Sequence, residues 1–275
     1  MSIVYLNGEW IEEGAAVVPA DDRGFLYGDA VFETGRLARR GFFRLERHLD
    51  RLRASAAALD LPLPPLADLL EIARGLARRN AFTEATLRMT LTRGGRRGPT
   101  LLATLSPVPA DWRETAARGW RIRIADIRHP PLACLPPVKT PGRLHGLLAR
   151  SRARQGGADD GLLLSTEGDV CEGPTWNVFW RRGDTLFTPS ADTGLLEGVT
   201  RAAILELAPR LGYRVREGRF TRAHLDEADE AFATMTSSGV VPFVTLDERA
   251  FDPDARLAAS SLQEAYWELV ESEAG

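Results

Sequence analysis

The chain has 275 residues, of which 44% are hydrophobic and 27% are charged, and its formal net charge is −3. These values are ordinary for a globular protein and leave room for one large domain or two smaller ones. Acidic residues and arginines are interspersed, and the sequence has no basic face or long basic run. This argues against nucleic acid as a partner and favours small-molecule ligands.

Membrane, metal and disulfide signals are also missing. No apolar run approaches the roughly 20 residues that span a bilayer, and no signal segment opens the chain, so the sequence predicts a cytoplasmic protein without a membrane partner. Cys134, Cys171 and the four histidines lack zinc-like spacing. We therefore expect neither a metal site nor a disulfide.

The first half of the chain predicts strands combined with two helices. Asn7-Gly8 is a strong turn signal between apolar-rich arms and predicts a hairpin over residues 3–12. Leu45, Leu49 and Leu52 begin a stripe at helical spacing that predicts an amphipathic helix over 45–59. The other elements expected here are a loop over 22–29, strands over 31–37 and 42–43, a helix over 66–79, and strands over 85–93 and 100–106.

The second half mixes strands and helices without the regular alternation of a doubly wound sheet, so the predicted fold class is α+β. A stretch over 107–119 combines proline, alanine and charge and is the best linker candidate. We predict a small domain over 1–112, a linker over 113–118 and a large domain over 119–275. The elements expected in the large domain are strands at 120–127, 229–235 and 240–246, three short strands within 161–187, and helices at 143–155, 199–211 and 255–272.

Lysine occurs once in this sequence. Lys139 is the single lysine among 35 basic residues, and the other 34 are arginine. Arginine keeps its proton and cannot attack a carbonyl, whereas a desolvated lysine can lose its proton and form a Schiff base. A lone lysine on a solvated surface would give the same count. However, the apolar, proline-rich run over 130–137 precedes Lys139, and apolar surroundings lower the pKa of an amine.

Two further features are compatible with a phosphorylated cofactor. Gly198-Val199-Thr200 opens a predicted helix, where free N–H groups and the Thr200 hydroxyl can hold a phosphate, although most such starts are ordinary caps. Glu172 ends an apolar strand; if it is buried it needs a cationic partner, and a protonated pyridine nitrogen would serve. The two common nucleotide-binding fingerprints are missing. With Lys139, these features indicate pyridoxal 5'-phosphate held as an imine.

Several sequence blocks resemble, in order and spacing, those of the class IV (fold type IV) aminotransferases. The blocks are Asp22 to Glu33, Phe43 to Leu52, Lys139, Glu172-Gly173 with Asn177 to Phe179, Thr188-Pro189, Leu196 to Arg201, and Ala228 to Phe232 followed by Thr236 and Val241-Pro242. They extend over nearly the whole chain. The resemblance implies a homodimeric enzyme with a small N-terminal α/β domain and a larger C-terminal pseudo-barrel domain that binds pyridoxal 5'-phosphate.

The resemblance also implies roles for individual residues. Lys139 would be the Schiff-base lysine and proton carrier, and Glu172 the partner of the pyridine nitrogen. Arg51, which the helix stripe alone leaves as a solvated charge, would bind the phosphate. The remaining cofactor contacts would come from Leu196, Val199, Thr200 and Thr236.

The substrate is expected to contact two arginines and three other residues. Arg97 lies in a glycine-rich loop that resembles the carboxylate-binding loop of D-amino acid aminotransferases and lyases, although a turn arginine is normally solvated. Arg36 matches a pocket arginine of the branched-chain enzymes. The other expected contacts are Phe32, Thr34 and Ser237.

The sequence is compatible with several reactions. Leu144 stands where branched-chain enzymes carry tyrosine, and Arg143-Leu144 resembles the lyase, whereas Phe32-Glu33 is similar to the transaminases. The leading hypothesis is a transaminase that moves an amino group between an amino acid, of D- or branched-chain type, and a 2-oxo acid. The alternatives are 4-amino-4-deoxychorismate lyase, an (R)-selective amine transaminase and a non-catalytic binding protein on the same fold.

Overall fold

The structure, a computed structural model, describes residues 2–129 and 138–274. The proline-rich run over 130–137, which includes Cys134, lies outside the described residues, and with it the apolar surroundings expected for Lys139. The described chain divides into two compact units. The N-terminal unit holds residues 2–109, 138–142 and 270–274, and the C-terminal unit holds residues 110–129 and 143–269.

The N-terminal unit is built on one antiparallel sheet. Its strands are β1 (Ile3–Leu6), β2 (Glu9–Glu12), β3 (Ala30–Ala38), β4 (Gly41–Phe43), β5 (Ala85–Gly95) and β6 (Gly98–Pro107). They lie in the order β2-β1-β6-β5-β3-β4, and each neighbouring pair is antiparallel. The predicted hairpin is confirmed, because Asn7 and Gly8 adopt positive φ angles of 48° and 101°, as a tight turn between strands requires.

Helices supply the other half of the core of this unit. They are α1 (Arg23–Tyr27), α2 (Leu45–Ala58) and α3 (Leu66–Asn80). Leu49 and Leu52 of α2 and Leu69 and Leu76 of α3 are fully buried in one hydrophobic cluster with residues of β3, β5 and β6. Burying each leucine contributes roughly 1.5–3 kcal/mol. The predicted helices over 45–59 and 66–79 are confirmed.

The C-terminal unit is built on a mixed sheet. Its strands are β7 (Trp120–His129), β8 (Asp160–Ser165), β9 (Asn177–Arg182), β10 (Thr185–Pro189), β11 (Arg214–Gly218), β12 (Glu230–Met235), β13 (Gly239–Leu246) and β14 (Arg249–Ala250). The order is β11-β10-β9-β12-β13-β7-β8, with β14 paired to β13. The pairs β10–β11, β13–β7 and β7–β8 are parallel and the others antiparallel.

The C-terminal unit also contains helices. They are α4 (Trp112–Arg118), α5 (Leu144–Gln155), α6 (Val199–Arg210), α7 (Arg222–Asp226) and α8 (Leu257–Glu273). The last residues of α8 belong to the N-terminal unit.

The structure differs from the predicted elements at a few short segments. Residues 22–29, predicted as a loop, contain α1, and residues 113–118, predicted as a linker, lie in helix α4. Strand β11 was not predicted because it is an edge strand with few buried residues. Its partner β10 lies far from it in the sequence, so no local pattern indicates the pairing. Helix α7 and strand β14 are too short to show a period. Within the described ranges, no helix is long and apolar enough to cross a membrane.

Asp22 explains why α1 forms where a loop is predicted. Its side chain is fully buried, and Oδ1 accepts hydrogen bonds from the backbone N–H groups of Gly24 at 2.7 Å and Phe25 at 3.4 Å. Oδ2 accepts from the hydroxyls of Thr92 at 2.7 Å and Thr100 at 2.6 Å. Burial alone raises the pKa of this carboxyl, but the hydrogen bonds outweigh burial and the pKa lies below its ordinary value. Asp22 therefore caps α1 and ties it to β5 and β6.

Replacing Asp22 with alanine is expected to lower the free energy of unfolding by about 2–4 kcal/mol, because buried hydroxyl and N–H donors lose a charged acceptor. Since the folded pKa is lowered, this contribution is complete above the ordinary carboxyl pKa and is lost as the pH falls through the folded value. Urea unfolding at pH 7 and pH 3 measures both effects. The difference between the wild type and Asp22→Ala should narrow at pH 3, and an equal difference at both pH values would contradict a role for the charge.

Candidate active site

Lys139 lies beside strand β3 and helix α2 in the N-terminal unit. Its carbonyl oxygen accepts a hydrogen bond from the backbone N–H of Phe32 at 2.9 Å, and its own N–H donates to Oγ of Ser55 at 3.3 Å. The residue is half-buried, and Nζ lies 4.8 Å from the centre of the Phe32 ring. The structure thus brings together two predicted site residues, Lys139 and Phe32.

Arg88 of strand β5 contacts the same ring. In the sheet register Arg88 stands opposite Thr34, a third predicted site residue. The Arg88 guanidinium lies 3.9 Å from the centre of the Phe32 ring. The Arg88 side chain is exposed, and arginine keeps its charge at any ordinary pH. An amine and a guanidinium therefore share one aromatic ring.

Arg51 is held by a buried carboxylate. Glu33 is 2% exposed and accepts from Nε and Nη2 of Arg51 at 2.6 Å and 2.8 Å. Nδ1 of His48 lies 3.0 Å from the same carboxylate. Burial alone raises the pKa of Glu33, but the hydrogen bonds from Arg51 and His48 outweigh burial and lower the pKa to about 2. Arg51 is thus an oriented cation rather than the solvated charge that the helix stripe suggests.

The proton position on His48 follows from its surroundings. Burial lowers the pKa of His48 below its ordinary value, so the ring is neutral at neutral pH. Since Glu33 is ionised, Nδ1 of His48 carries the proton and donates a hydrogen bond to the carboxylate. This second donor leaves Glu33 with little freedom to rotate, which in turn fixes Arg51.

The two arginines predicted to bind the substrate carboxylate lie in different surroundings. Arg36 is 1% exposed, and its Nη2 pairs with Glu84 at 3.0 Å. Glu84 therefore already stabilises the buried charge of Arg36. Arg97 is exposed in the turn between β5 and β6. In the described part of the chain, neither arginine takes part in the contacts that join Lys139, Phe32 and Arg88.

Glu172 lies in the C-terminal unit before strand β9 and is 2% exposed. Oε2 accepts from the backbone N–H of Leu196 at 3.0 Å and from Nδ2 of Asn177 at 3.2 Å. Oε1 accepts from Arg143 and lies 3.4 Å from Nε2 of His129. Burial alone raises the pKa of Glu172, but the charge of Arg143 and the hydrogen bond from His129 outweigh burial and hold the pKa below its ordinary value. The carboxylate is therefore buried and ionised.

A second histidine extends this polar cluster. His145 of α5 contacts His129 edge-on, with ring centres 5.1 Å apart. Burial, helped by the nearby His129 and Arg143, lowers the pKa of His145 to about 4. His145 is therefore neutral at neutral pH, and Arg143 is the permanent positive charge beside Glu172.

The start of helix α6 lies next to this carboxylate. Val199 opens the helix after Gly198, whose N-cap position has no side-chain cap. A Cβ on Gly198 would lie 2.3 Å from Oδ1 of Asn177, so the close approach requires glycine. The first N–H groups of a helix lack acceptors within the helix and favour anions. The Thr200 hydroxyl is buried 3.3 Å from that of Tyr266, an interaction that competes with the predicted phosphate contact.

Thr236 and Ser237 lie in the turn between β12 and β13, and both are half-buried. Oγ of Ser237 lies 3.4 Å from Oγ of Ser238. The turn therefore gathers hydroxyl groups in the same unit as α6, on a separate element. Their predicted contacts with phosphate and substrate stay predictions.

The side chains of each unit fit pyridoxal 5'-phosphate. Lys139 offers an amine, Glu172 offers a buried anion for a protonated ring nitrogen, and the start of α6 suits a phosphate. Glu172 already accepts from four donors, about as many as a carboxylate can hold. A ring nitrogen must therefore displace one of them. Arg143 is the best candidate, because its side chain is 19% exposed.

Three residues that hold the predicted site residues in place were not predicted as such from the sequence: Arg88, Glu33 and His129. Arg88 could be found from the alternation along β5, where Leu87 and Met89 are buried and the residue between them points to the other face. Glu33 carried no signal as a buried anion until its partners on α2 were known. His129 has no local signal, because its contact with Glu172 joins positions far apart in the sequence.

Comparison with known sequences identifies the family. The profile of the family described as amino-transferase class IV matches residues 30–246. A protein named putative branched-chain-amino-acid aminotransferase from Methanocaldococcus jannaschii is 34% identical, over 90% of this chain and 89% of its own. Aminodeoxychorismate lyase of Bacillus subtilis is 31% identical, over 96% and 93%. D-alanine aminotransferase of Listeria monocytogenes is 32% identical, over 89% and 87%.

A solved structure shows the same fold. The branched-chain amino acid aminotransferase of Escherichia coli superposes with a TM-score of 0.92 at 27% identity, over 100% of this chain and 96% of that one. The predicted α+β fold of type IV is thereby confirmed. Since the family profile covers most of the sequence, the chain belongs to the class IV aminotransferases and is an enzyme of that family.

Proposed function

We propose that this enzyme transfers the amino group of an α-amino acid to a 2-oxo acid, with pyridoxal 5'-phosphate as its cofactor. The observation that carries the proposal is the placement of Lys139 Nζ and the Arg88 guanidinium 4.8 Å and 3.9 Å from the centre of one ring, that of Phe32. A guanidinium pairs with carboxylates, and a lysine amine exchanges at carbonyl carbons. Together they offer one partner for the amino group and one for the carboxylate of an α-amino acid.

The residues divide the chemistry among them. The bound cofactor supplies an electron-poor ring that withdraws electrons from Cα of the substrate. Lys139 holds the cofactor and then, as a neutral amine, accepts the Cα proton on Nζ. Glu172, kept ionised by its donors, holds a proton on the ring nitrogen. Arg51 and the start of α6 bind the phosphate and so fix the position of the ring.

Spectroscopy of the purified protein loaded with pyridoxal 5'-phosphate tests this proposal. Mixing with single L- and D-amino acids in the absence of an acceptor should convert the cofactor to pyridoxamine 5'-phosphate and release one 2-oxo acid per site. A 2-oxo acid added afterwards should restore the starting spectrum. A protein that shows no such conversion with any amino acid would refute the transaminase proposal.

Elimination of pyruvate from 4-amino-4-deoxychorismate is the second candidate reaction. It is supported by Arg143-Leu144, which resembles the lyase, and by 31% identity to the lyase of Bacillus subtilis over 96% of this chain. The same spectra separate the two reactions. A lyase releases pyruvate from that substrate without leaving the cofactor as pyridoxamine 5'-phosphate.

We also propose that the enzyme is a homodimer. Leu144, Leu147 and Leu148 are 67%, 54% and 39% exposed, and their spacing places them on one face of α5. Contiguous exposed apolar side chains mark interaction surfaces. Sedimentation equilibrium reads the mass directly, and a monomer at micromolar concentration would contradict the dimer.

Arg88→Leu is expected to reduce kcat/KM for α-amino acids by roughly 10- to 150-fold, because a charge-assisted hydrogen bond contributes about 1.5–3 kcal/mol. A primary amine without a carboxylate should react with this variant as it does with the wild type. Steady-state rates with an amino acid and with its decarboxylated amine provide the comparison.

Arg97→Leu is the matched control, since it removes the same charge from the turn at the end of β5. It should leave both substrates unaffected if Arg88 reads the carboxylate. If Arg97→Leu loses amino-acid activity and Arg88→Leu keeps it, the role belongs to Arg97.

Arg143→Met should destabilise the cofactor-free protein more than the loaded protein. Without Arg143 the buried Glu172 lacks its cation, which costs roughly 3–5 kcal/mol, and a protonated ring nitrogen would restore one. Pyridoxal 5'-phosphate should therefore raise the Tm of Arg143→Met more than that of the wild type.

Arg150→Met is the control for this prediction, because Arg150 lies on α5, the helix that follows Arg143, and pairs with Asp160 at 2.9 Å rather than with Glu172. Its loss of stability should be the same with and without the cofactor. Equal cofactor-induced shifts in the wild type and Arg143→Met would mean that Arg143 and the ring nitrogen do not compete.

A further inference from the structure

An arginine-lined cavity of about 570 Å³ lies in the N-terminal unit and has no part in the proposed reaction. One face of α3, with Leu70, Arg74, Ala77 and Arg78, lines the cavity together with the first turn of α2. The end of β3, the turn after it and β4 complete the lining. Its volume falls within the roughly 300–1,000 Å³ typical of small-molecule sites.

The lining is strongly positive. Five arginines and two glutamates contribute to it, which leaves a net charge of +3. The arginines are Arg40, Arg44, Arg47, Arg74 and Arg78. Glu71, outside the lining, lies 3.2 Å from Arg74 and 3.5 Å from Arg78 and offsets one more charge. These eight side chains together carry a net charge of +2, in a chain whose overall net charge is −3.

Arg44 is the least exposed of these arginines. Its side chain is 8% exposed and lies 2.8 Å from Glu273, and its guanidinium lies 5.2 Å from the centre of the Phe43 ring. Its backbone adopts the left-handed conformation, with φ 46°, which costs a residue with a side chain roughly 1–2 kcal/mol. The pair with Glu273 therefore fixes one cation at the rim, while Arg40, Arg47, Arg74 and Arg78 are exposed.

The N-terminal end of α2 adds to the positive potential of the cavity. Arg44 and Arg47 lie at the N-terminal end of α2, where the helix dipole is already positive and favours anions. The floor below them is apolar, because Leu37, Phe42 and Leu45 are buried there. A cavity with a cationic rim and an apolar floor complements a ligand that has several negative charges and an apolar or aromatic portion.

We propose that this cavity binds a small molecule with two or more phosphate groups and an aromatic portion, of the nucleoside diphosphate type. The phosphates pair with the exposed arginines at the rim, and the base lies over the apolar floor. The site is separate from Lys139 and Arg51, neither of which lines the cavity. The proposal does not depend on the reaction that the enzyme catalyses.

Isothermal titration with ADP tests the proposal on the full chain saturated with pyridoxal 5'-phosphate, so that the cofactor's own phosphate site is filled. ADP should bind with a one-to-one stoichiometry, and adenosine should bind far more weakly because it lacks the phosphates. Arg40→Ser with Arg78→Ser should weaken ADP binding roughly 10- to 100-fold or more, since each charge-assisted contact contributes about 1.5–3 kcal/mol.

The control is Arg39→Ser with Arg53→Ser, which removes two exposed arginines that do not line the cavity. It makes the same change in net charge and should leave ADP binding unchanged. Three results would overturn the proposal: no ADP binding by the wild type, equal binding of adenosine and ADP, or the same ADP affinity in the two double variants.

Discussion

A carboxylate that is removed from water stays charged only if cations and hydrogen-bond donors replace the lost solvent, and Glu172 shows how this requirement organises the C-terminal unit. Its four donors come from β7, from the start of α5, from β9 and from the segment before α6. An ionised carboxylate at this position is what a protonated pyridine nitrogen needs as its partner. Satisfying one buried charge thus brings together the elements on which the proposed cofactor depends.

In the N-terminal unit, Glu33 is a second buried carboxylate that is kept charged by its partners. Here the partners are Arg51 and His48, both on α2, and the network holds a helix against a strand. Lys139 contacts Phe32, the neighbour of Glu33 on β3, and Ser55, one turn beyond Arg51 on α2. The buried pair therefore positions the two elements that hold the amine. Since the pKa of Glu33 is about 2, this arrangement persists throughout the ordinary pH range.

Much of the fold follows from local sequence, whereas much of the site does not. The leucine stripes of α2 and α3 and the Asn7-Gly8 turn are periodic or local signals, so those elements could be predicted. Glu172 could be predicted to need a cation if buried, but Arg143 is 29 positions away, and no local pattern pairs them. Arg36 matches a pocket residue in sequence, yet the structure pairs it with Glu84, 48 positions away. Partners across a sheet depend on register, which a residue pattern alone cannot give.

In the proposed function, the single lysine of the chain holds the cofactor. Borohydride reduction of the protein loaded with pyridoxal 5'-phosphate, followed by trypsin digestion and mass spectrometry, tests it most directly. Cleavage after Arg128 and Arg143 should give a peptide over residues 129–143 that carries the reduced cofactor on Lys139. Cofactor found only on the N-terminal amine, or on no peptide, would contradict the claim.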